Sequence, residues 1–304
     1  MTGKEPKRAR TMAEFGALRV KLAAPDTSSP VFTPFSPRPG DVVISPYGKC
    51  GTTWLQQTFH TLRTGGDMDF DDISRVVPWI ETAPMLSIDL DAQQRAEPRG
   101  YKSHLSFTQV PKGARYVVSL RDPQDAFVSM YRFMEGWFIE PGAISLEEFY
   151  EGWLSGGAEG GGYWNHLVSW WEQRDNPNVL LLSYSHMVEE PALHIRRLAD
   201  FCGIALDEAL LALTLERSSI AYMLKHKDRF DDAMMRSHSE ARCNLPPGSD
   251  SAKVREGGVG QNRKHLTADL AVRFDAAWAE QVTPRTGFAD FTAVESQLKT
   301  RQSK

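Results

Sequence analysis

The sequence predicts an α/β protein in which a central parallel sheet is flanked by helices. Three observations carry this. Short runs of β-branched and aliphatic residues recur at Val42–Ile44, Tyr116–Leu120 and Val179–Leu182. Apolar repeats at helical spacing lie between and after these runs, and such alternation builds a parallel sheet covered by helices. The first run enters a tight loop, Ser45-Pro46-Tyr47-Gly48-Lys49-Cys50-Gly51-Thr52-Thr53-Trp54, followed by an apolar helical repeat at Leu55, Phe59 and Leu62.

That loop reads as an anion site. A helix starting there points its first N–H groups, which have no partner within the helix, at whatever sits above. Those groups, the positive end of the helix dipole and Lys49 suit a phosphate. Thr52 and Thr53 add hydroxyl donors, and the Trp54 indole can stack on a purine. The expected fold is therefore a P-loop-like nucleotide-binding one. The loop is not a Walker A sequence, because Cys50 stands where the magnesium-ligating hydroxyl belongs. No metal is expected.

The second strand, Tyr116–Leu120, ends in Arg121-Asp122-Pro123. Asp122 can cap the next helix and Pro123 suits its first turn. Arg121 then stands at the carboxyl end of a strand, where open α/β sheets bind ligands. Its guanidinium fork suits a phosphate; pairing with Asp122 is the purely structural alternative. Ser129 follows two helical turns later. Between the two strands, Tyr101-Lys102-Ser103-His104-Leu105 offers a histidine beside a lysine, either a general base or a structural ring. Further helices are expected at Ser145-Leu146-Glu147-Glu148-Phe149, a capping-box sequence, at Trp164–Glu172, Ala192–Cys202 and Thr267–Glu280. Trp170 and Trp171 read as core.

Residues 155–162 form a glycine-rich stretch expected to be a flexible connection. Residues 236–260 are polar and aperiodic, with Pro246-Pro247-Gly248 in their middle. A loop that long reads as a lid closing over nucleotide, or as a disordered insertion. Residues 1–30 are expected to be a loose tail, and residues 1–304 a single domain. With 304 residues and 41% hydrophobic content the chain can bury a large core. A net charge of −4, from 35 basic and 39 acidic residues, argues against bulk nucleic-acid binding. The three cysteines lack metal-like spacing and leave an odd count, which suits the cytoplasm. No apolar run reaches the roughly 20 residues of a membrane helix.

Taken in order, these segments resemble the cytosolic sulfotransferase family, whose members use 3′-phosphoadenosine 5′-phosphosulfate (PAPS). The family's Tyr-Pro-Lys-Ser-Gly-Thr-Thr-Trp stands here as Tyr47-Gly48-Lys49-Cys50-Gly51-Thr52-Thr53-Trp54, with Gly48 and Cys50 as departures. Its Lys-Thr-His-Leu is Lys102-Ser103-His104-Leu105. Its arginine and serine for the 3′-phosphate fall on Arg121 and Ser129. Tyr184-Ser185-His186-Met187 echoes its Tyr-Glu-Asp-Met, whose tyrosine touches adenine. Ser218-Ser219-Ile220 echoes its Thr-Ser-Phe, with Ile220 in place of the aromatic. Arg255-Glu256-Gly257 stands for its Arg-Lys-Gly, with Glu256 removing a positive charge near the 3′-phosphate.

The resemblance implies transfer of a sulfuryl group to a hydroxyl or amine of a small acceptor, leaving adenosine 3′,5′-bisphosphate (PAP). His104 is the implied base, Lys49 the stabiliser of the leaving oxygen, and Lys102 a neutraliser of sulfuryl oxygens. Trp79 in Pro78-Trp79-Ile80-Glu81 and His166 match family positions near the acceptor. Phe107, Phe133, Trp137 and Phe138 are further acceptor-pocket residues or simply core. The expected acceptor is an aromatic or lipid-like alcohol, with a phenol, a sterol and a glycolipid all left open. Two other readings stay open, a P-loop kinase and a non-catalytic nucleotide binder. The family's dimer motif survives only at Thr267 among Arg263, Thr267, Ala268 and Val272, so that dimer is not expected. Cys50, between Lys49 and a helix start, is expected either to ionise easily or to be a buried, inert substitute for serine.

Overall fold

The computed structural model describes residues 5–24, 34–154, 162–248, 250–251, 253–254, 258–260 and 263–302. The strands are β1 (Val42–Ile44), β2 (Gly100–Lys102), β3 (Arg115–Leu120) and β4 (Val179–Ser183). Among the described residues they form a four-stranded sheet ordered β2-β1-β3-β4, and every pair runs parallel. The helices begin with α1 (Met12–Ala23), α2 (Thr52–Thr64), α3 (Ile73–Val76), α4 (Pro123–Glu135), α5 (Leu146–Leu154) and α6 (Gly162–Trp171). They are followed by α7 (Tyr184–Glu189), α8 (Pro191–Cys202), α9 (Glu208–Arg217), α10 (Ile220–Lys225), α11 (Ala233–Cys243) and α12 (Ala268–Gln281).

Side chains alternate across the sheet and so divide the core in two. Val43, Tyr101, Tyr116, Val118 and Leu120 face one side, with Phe127, Trp153, Trp164, Trp170 and Phe274. Val42, Ile44, Val117, Leu180 and Leu182 face the other, with Leu55, Phe59, Leu62 and Leu198. Trp170 and Trp171 are core residues, as expected. The local signals in the sequence act as predicted. Asp122 accepts from the Asp125 N–H at 3.0 Å and Pro123 opens α4. Ser145 and Glu148 exchange the capping-box bonds ahead of α5. Thr267 caps α12 through the Leu270 N–H.

Two expectations are overturned. Residues 12–23 are helix, not loose tail. Thr11 caps α1 by accepting from the Glu14 N–H at 3.2 Å, and Phe15 is buried against Phe138 and Phe149. Ala9 is tied to the chain at Phe138 and Glu140 by backbone hydrogen bonds. Residues 236–243 likewise belong to α11, which ends at Asn244 in the left-handed conformation. Contacts pin the chain beyond α11 as well: Leu245 is buried, Lys227 meets Asp250 at 2.9 Å, and Ser251 donates to Asp231. Strand β2, Gly100-Tyr101-Lys102, is not among the expected strands, because it carries no run of β-branched residues such as marks β1. Residues 155–161 of the glycine-rich stretch lie outside the described residues; Gly162 opens α6.

Candidate active site

Register brings the expected segments together. Ile44 sits beside Lys102 on one side and Val117 on the other, so the loop after β1, the Ser103-His104 segment and Arg121 leave one edge of the sheet. Leu120 sits beside Ser183, which adds Tyr184 to that edge. A cavity of about 660 Å³ opens there.

One end of the cavity is built from backbone donors and fixed cations. Lys49 and Gly51 both take positive φ, 67° and 93°, which turns the chain sharply into α2. The Leu55 N–H closes the first turn onto Gly51 O at 3.0 Å, leaving the N–H groups of Thr52, Thr53 and Trp54 facing out of the helix end. A Cβ on Gly51 would stand 2.9 Å from the Tyr184 ring, so this position takes only glycine. Arg121 donates to Lys49 O at 2.8 Å and to Gly258 O at 3.4 Å, and its guanidinium lies 4.4 Å from the Tyr184 ring centre. Its carboxylate neighbour is Asp125 at 4.0 Å, not Asp122. Ser129 on α4 lines the same end, as do Trp54, Tyr184 and Ile220. Trp54 and Tyr184 meet edge to face at 6.1 Å.

The other end holds the titratable groups. His104 Nδ1 lies 2.7 Å from Pro46 O. A carbonyl only accepts, so Nδ1 carries the hydrogen and Nε2 keeps its lone pair. Burial, and then the charges of Lys102 and Lys253, push this imidazole down to about 3, so it stays neutral. The His104 N–H donates to Glu81 Oε1 at 2.6 Å, and Trp79 packs edge-on against the ring at 5.1 Å. Lys102 is buried, with its ammonium 3.7 Å from the Trp79 ring centre and 3.3 Å from Asp232. Burial lowers it to about 8, against the pull of Asp232. Lys49 Nζ donates to Lys253 O at 3.3 Å and lies 4.6 Å from the Phe133 ring centre. Apolar walls come from Phe133, Trp137 and Phe138, and from the α1 stripe of Met12, Phe15 and Leu22.

The sequence pattern of the sulfotransferase domain matches residues 39–285. The chain belongs to the sulfotransferase family. It is 28% identical over 258 residues to human sulfotransferase 1C2, covering 82% of this chain and 85% of that one. It is 29% identical over 266 residues to bovine sulfotransferase 1E1, covering 83% and 86%. Among solved structures it is similar to retinol dehydratase in complex with retinol and PAP, with a TM-score of 0.68, 19% identity and coverage of 88% and 86%. Mouse sulfotransferase SULT7A1 complexed with PAP gives a TM-score of 0.62, 22% identity and coverage of 88% and 90%. The resemblance to the PAPS-dependent sulfotransferases is thereby confirmed, and with it the P-loop-like α/β fold.

In this sulfotransferase the cavity collects Lys49, Gly51, Thr52, Thr53, Trp54, Arg121, Ser129, Tyr184 and Ile220. It also collects Lys102, His104, Trp79, Phe133, Trp137 and Phe138. Four expected residues lie elsewhere. His166 is buried with Nε2 3.0 Å from Ser45 O and burial pushing it to about 3; it buttresses the loop from behind. Phe107 packs on Tyr116 and Trp170 in the core. Ser218 donates to Thr214 O within its own helix end. Cys50 points inward at Gly48 O, 3.8 Å away, and its N–H is taken by Tyr47 O. Burial pushes its thiol up to about 12; Arg121 and Lys49 oppose this and lose, so the easily ionised thiol is corrected to the inert one. Arg255, Glu256 and Gly257 lie outside the described residues. Sequence reasoning missed Asp232 and Lys253 as site residues, and the α1 stripe. Asp232 is far from any motif, and Lys253 stands two residues before Arg255-Glu256-Gly257 but outside its pattern; the spacing of Met12, Phe15, Arg19 and Leu22 is a legible signal for α1.

Proposed function

We propose that the chain transfers a sulfuryl group from PAPS to a hydroxyl or amine of a small, largely apolar acceptor. One observation carries this: a single cavity joins an anion-binding helix end to a neutral histidine whose Nε2 is unprotonated. The residues present fit the nucleotide. Thr52 Oγ1 and Arg121 Nε are buried polar atoms without a partner among the described residues, beside the free helix end. PAPS, when bound, supplies a sulfuryl group on a phosphate leaving group. Lys49 and the amides of Thr52, Thr53 and Trp54 would hold its 5′ side. Arg121 and Ser129, with Arg255 and Gly257, would hold the 3′-phosphate. Trp54, Tyr184 and Ile220 would flank the base.

His104 Nε2 takes the proton of the acceptor hydroxyl. Lys49 keeps positive charge where charge grows on the leaving oxygen, and Lys102 does so for the sulfuryl oxygens. Trp79, Phe133, Trp137 and Phe138 exclude water and grip the acceptor's apolar body. Retinol dehydratase has been solved with retinol and with androsterone beside PAP, which supports an apolar alcohol or sterol here. The three free, buried cysteines support a cytoplasmic setting. Incubation with radiolabelled PAPS and a panel of phenols, sterols and glycolipids is the test. Label is expected in at least one acceptor. Phosphoryl transfer from ATP with magnesium, and none from PAPS, would overturn the reading in favour of a kinase.

A further inference from the structure

The cavity wall carries a buried ionic cluster that none of these roles uses in full. Asp232 Oδ1 lies 3.3 Å from Lys102 Nζ, and Asp232 Oδ2 lies 2.5 Å from Lys253 Nζ. Lys102, Asp232 and Lys253 all line the cavity, and Lys102 and Asp232 are almost wholly buried. Asp232 immediately precedes α11, where an aspartate ordinarily caps the helix through its own carboxylate. It makes no such bond. The cap is delegated: Asp72, ahead of α3, accepts from the Met234 N–H at 3.0 Å. Asp232 also adopts φ 48°, a left-handed conformation that aspartate takes more readily than most non-glycine residues. Both features turn its carboxylate away from the helix and toward the two lysines. Its neighbour Asp231, also buried, pairs instead with Arg236 at 3.2 Å and accepts from Ser251. Lys253 is further tied to the donor loop, since its carbonyl accepts from Lys49 Nζ.

We infer that Asp232 is a positioning residue of the transfer centre, holding the ammonium groups of Lys102 and Lys253 together in the cavity wall so that both present charge to the transferred group. The inference rests on the sulfuryl-transfer reading above. It makes Lys253 a further cation of the centre. Lys102 is faced by Asp232 ahead of α11, by Lys253 from the segment after it, by Asp72 ahead of α3 and by His104 from its own segment; Glu81 and Lys49 share the cavity wall. Two ammonium groups on one carboxylate compete for it. Removing the carboxylate and removing the second lysine must therefore act on Lys102 in opposite directions.

The test follows the lysine side-chain carbons by NMR as the nucleotide-free protein is titrated, in the wild type, Asp232→Asn and Lys253→Met. In Asp232→Asn the Lys102 midpoint is expected to move down by at least about one pH unit, because its countercharge is gone. In Lys253→Met it is expected to move up. The alkaline limb of kcat is expected to follow each shift, and Lys253→Met to lower kcat at least about tenfold with acceptor KM little changed. A Lys102 midpoint that stays put in both variants, or that falls in Lys253→Met, overturns the positioning role. An unchanged kcat in Lys253→Met overturns the role of Lys253. Should Asp232→Asn fail to fold by circular dichroism, Lys253→Met alone decides. Wild-type protein that transfers nothing from PAPS refutes the functional reading, while the NMR titration still decides the geometry.

Discussion

His104→Ala removes a ring whose Nδ1 is held by Pro46 O at 2.7 Å and whose Nε2 is left to accept a proton. A positioned general base contributes roughly 10²–10⁴-fold to rate, which is about 3–5 kcal/mol of barrier. Turnover at neutral pH is expected to fall by that factor. PAP affinity by calorimetry is expected to stay within about twofold, because the donor end is built from Lys49, Arg121 and the α2 amides, none of which His104 touches. The ring's pKa, lowered to about 3, adds a second readout. A folded value below the unfolded value of about 6.5 means that the unfolded chain takes up a proton the folded chain refuses. Stability is therefore lost as pH falls below about 6.5, and goes on being lost towards the folded value. Between about pH 7 and pH 5.5 this one ring costs the wild type about 1.3 kcal/mol. Urea unfolding at both pH values is expected to show His104→Ala losing less by that amount. Retention of more than about a tenth of wild-type kcat, below the smallest loss a general base accounts for, would refute the base assignment. An identical acid slope in both proteins would refute the buried neutral ring.

Arg121→Ala is expected to reduce the preference for PAP over AMP at least about tenfold, since a charge-assisted hydrogen bond contributes roughly 1.5–3 kcal/mol; paired calorimetric titrations measure it. Gly51→Ala forces alanine to a φ of 93° with its Cβ 2.9 Å from Tyr184. It should cost about 1–2 kcal/mol in denaturant unfolding and weaken PAP binding, and equal stability would refute the loop geometry. Phe15→Ala should cost about 3 kcal/mol and raise acceptor KM while PAP affinity holds, because Phe15 packs against Phe138 and Phe149 at the acceptor end. Iodoacetamide is expected to label Cys50 no faster than Cys202 or Cys243, with or without nucleotide. Fast labelling that nucleotide blocks would return the reactive-thiol reading.

Three of the four strands, the donor loop and most residues of the candidate site were legible in the linear order, because each rests on neighbours in the chain. Val42–Ile44 feeding Gly51 and α2, and Leu120 feeding Arg121, Asp122 and Pro123, are local arrangements of strand, turn and cap, and local chemistry is written in order. The same holds for the capping box at Ser145 and for Leu270, Phe274 and Trp278, which recur at helical spacing on α12. Burial, and contact between distant segments, were settled only by the folded chain. Cys50 sits beside Lys49 in sequence, yet desolvation outweighs that charge and leaves the thiol inert. His166 and Phe107 carry residue types that suit a pocket, but packing assigns them to the wall behind it. Helix α1 forms because Phe15 finds Phe138 and Phe149, more than a hundred positions away, and isolated helices of its length are marginal without such packing. Asp232 joins Lys102 from 130 positions further on, and no spacing rule spans that distance. Electrostatic energy depends on separation and dielectric in space, so the cluster that joins Asp232 and Lys253 to Lys102 was absent from the linear pattern and exists only once the chain has closed around it.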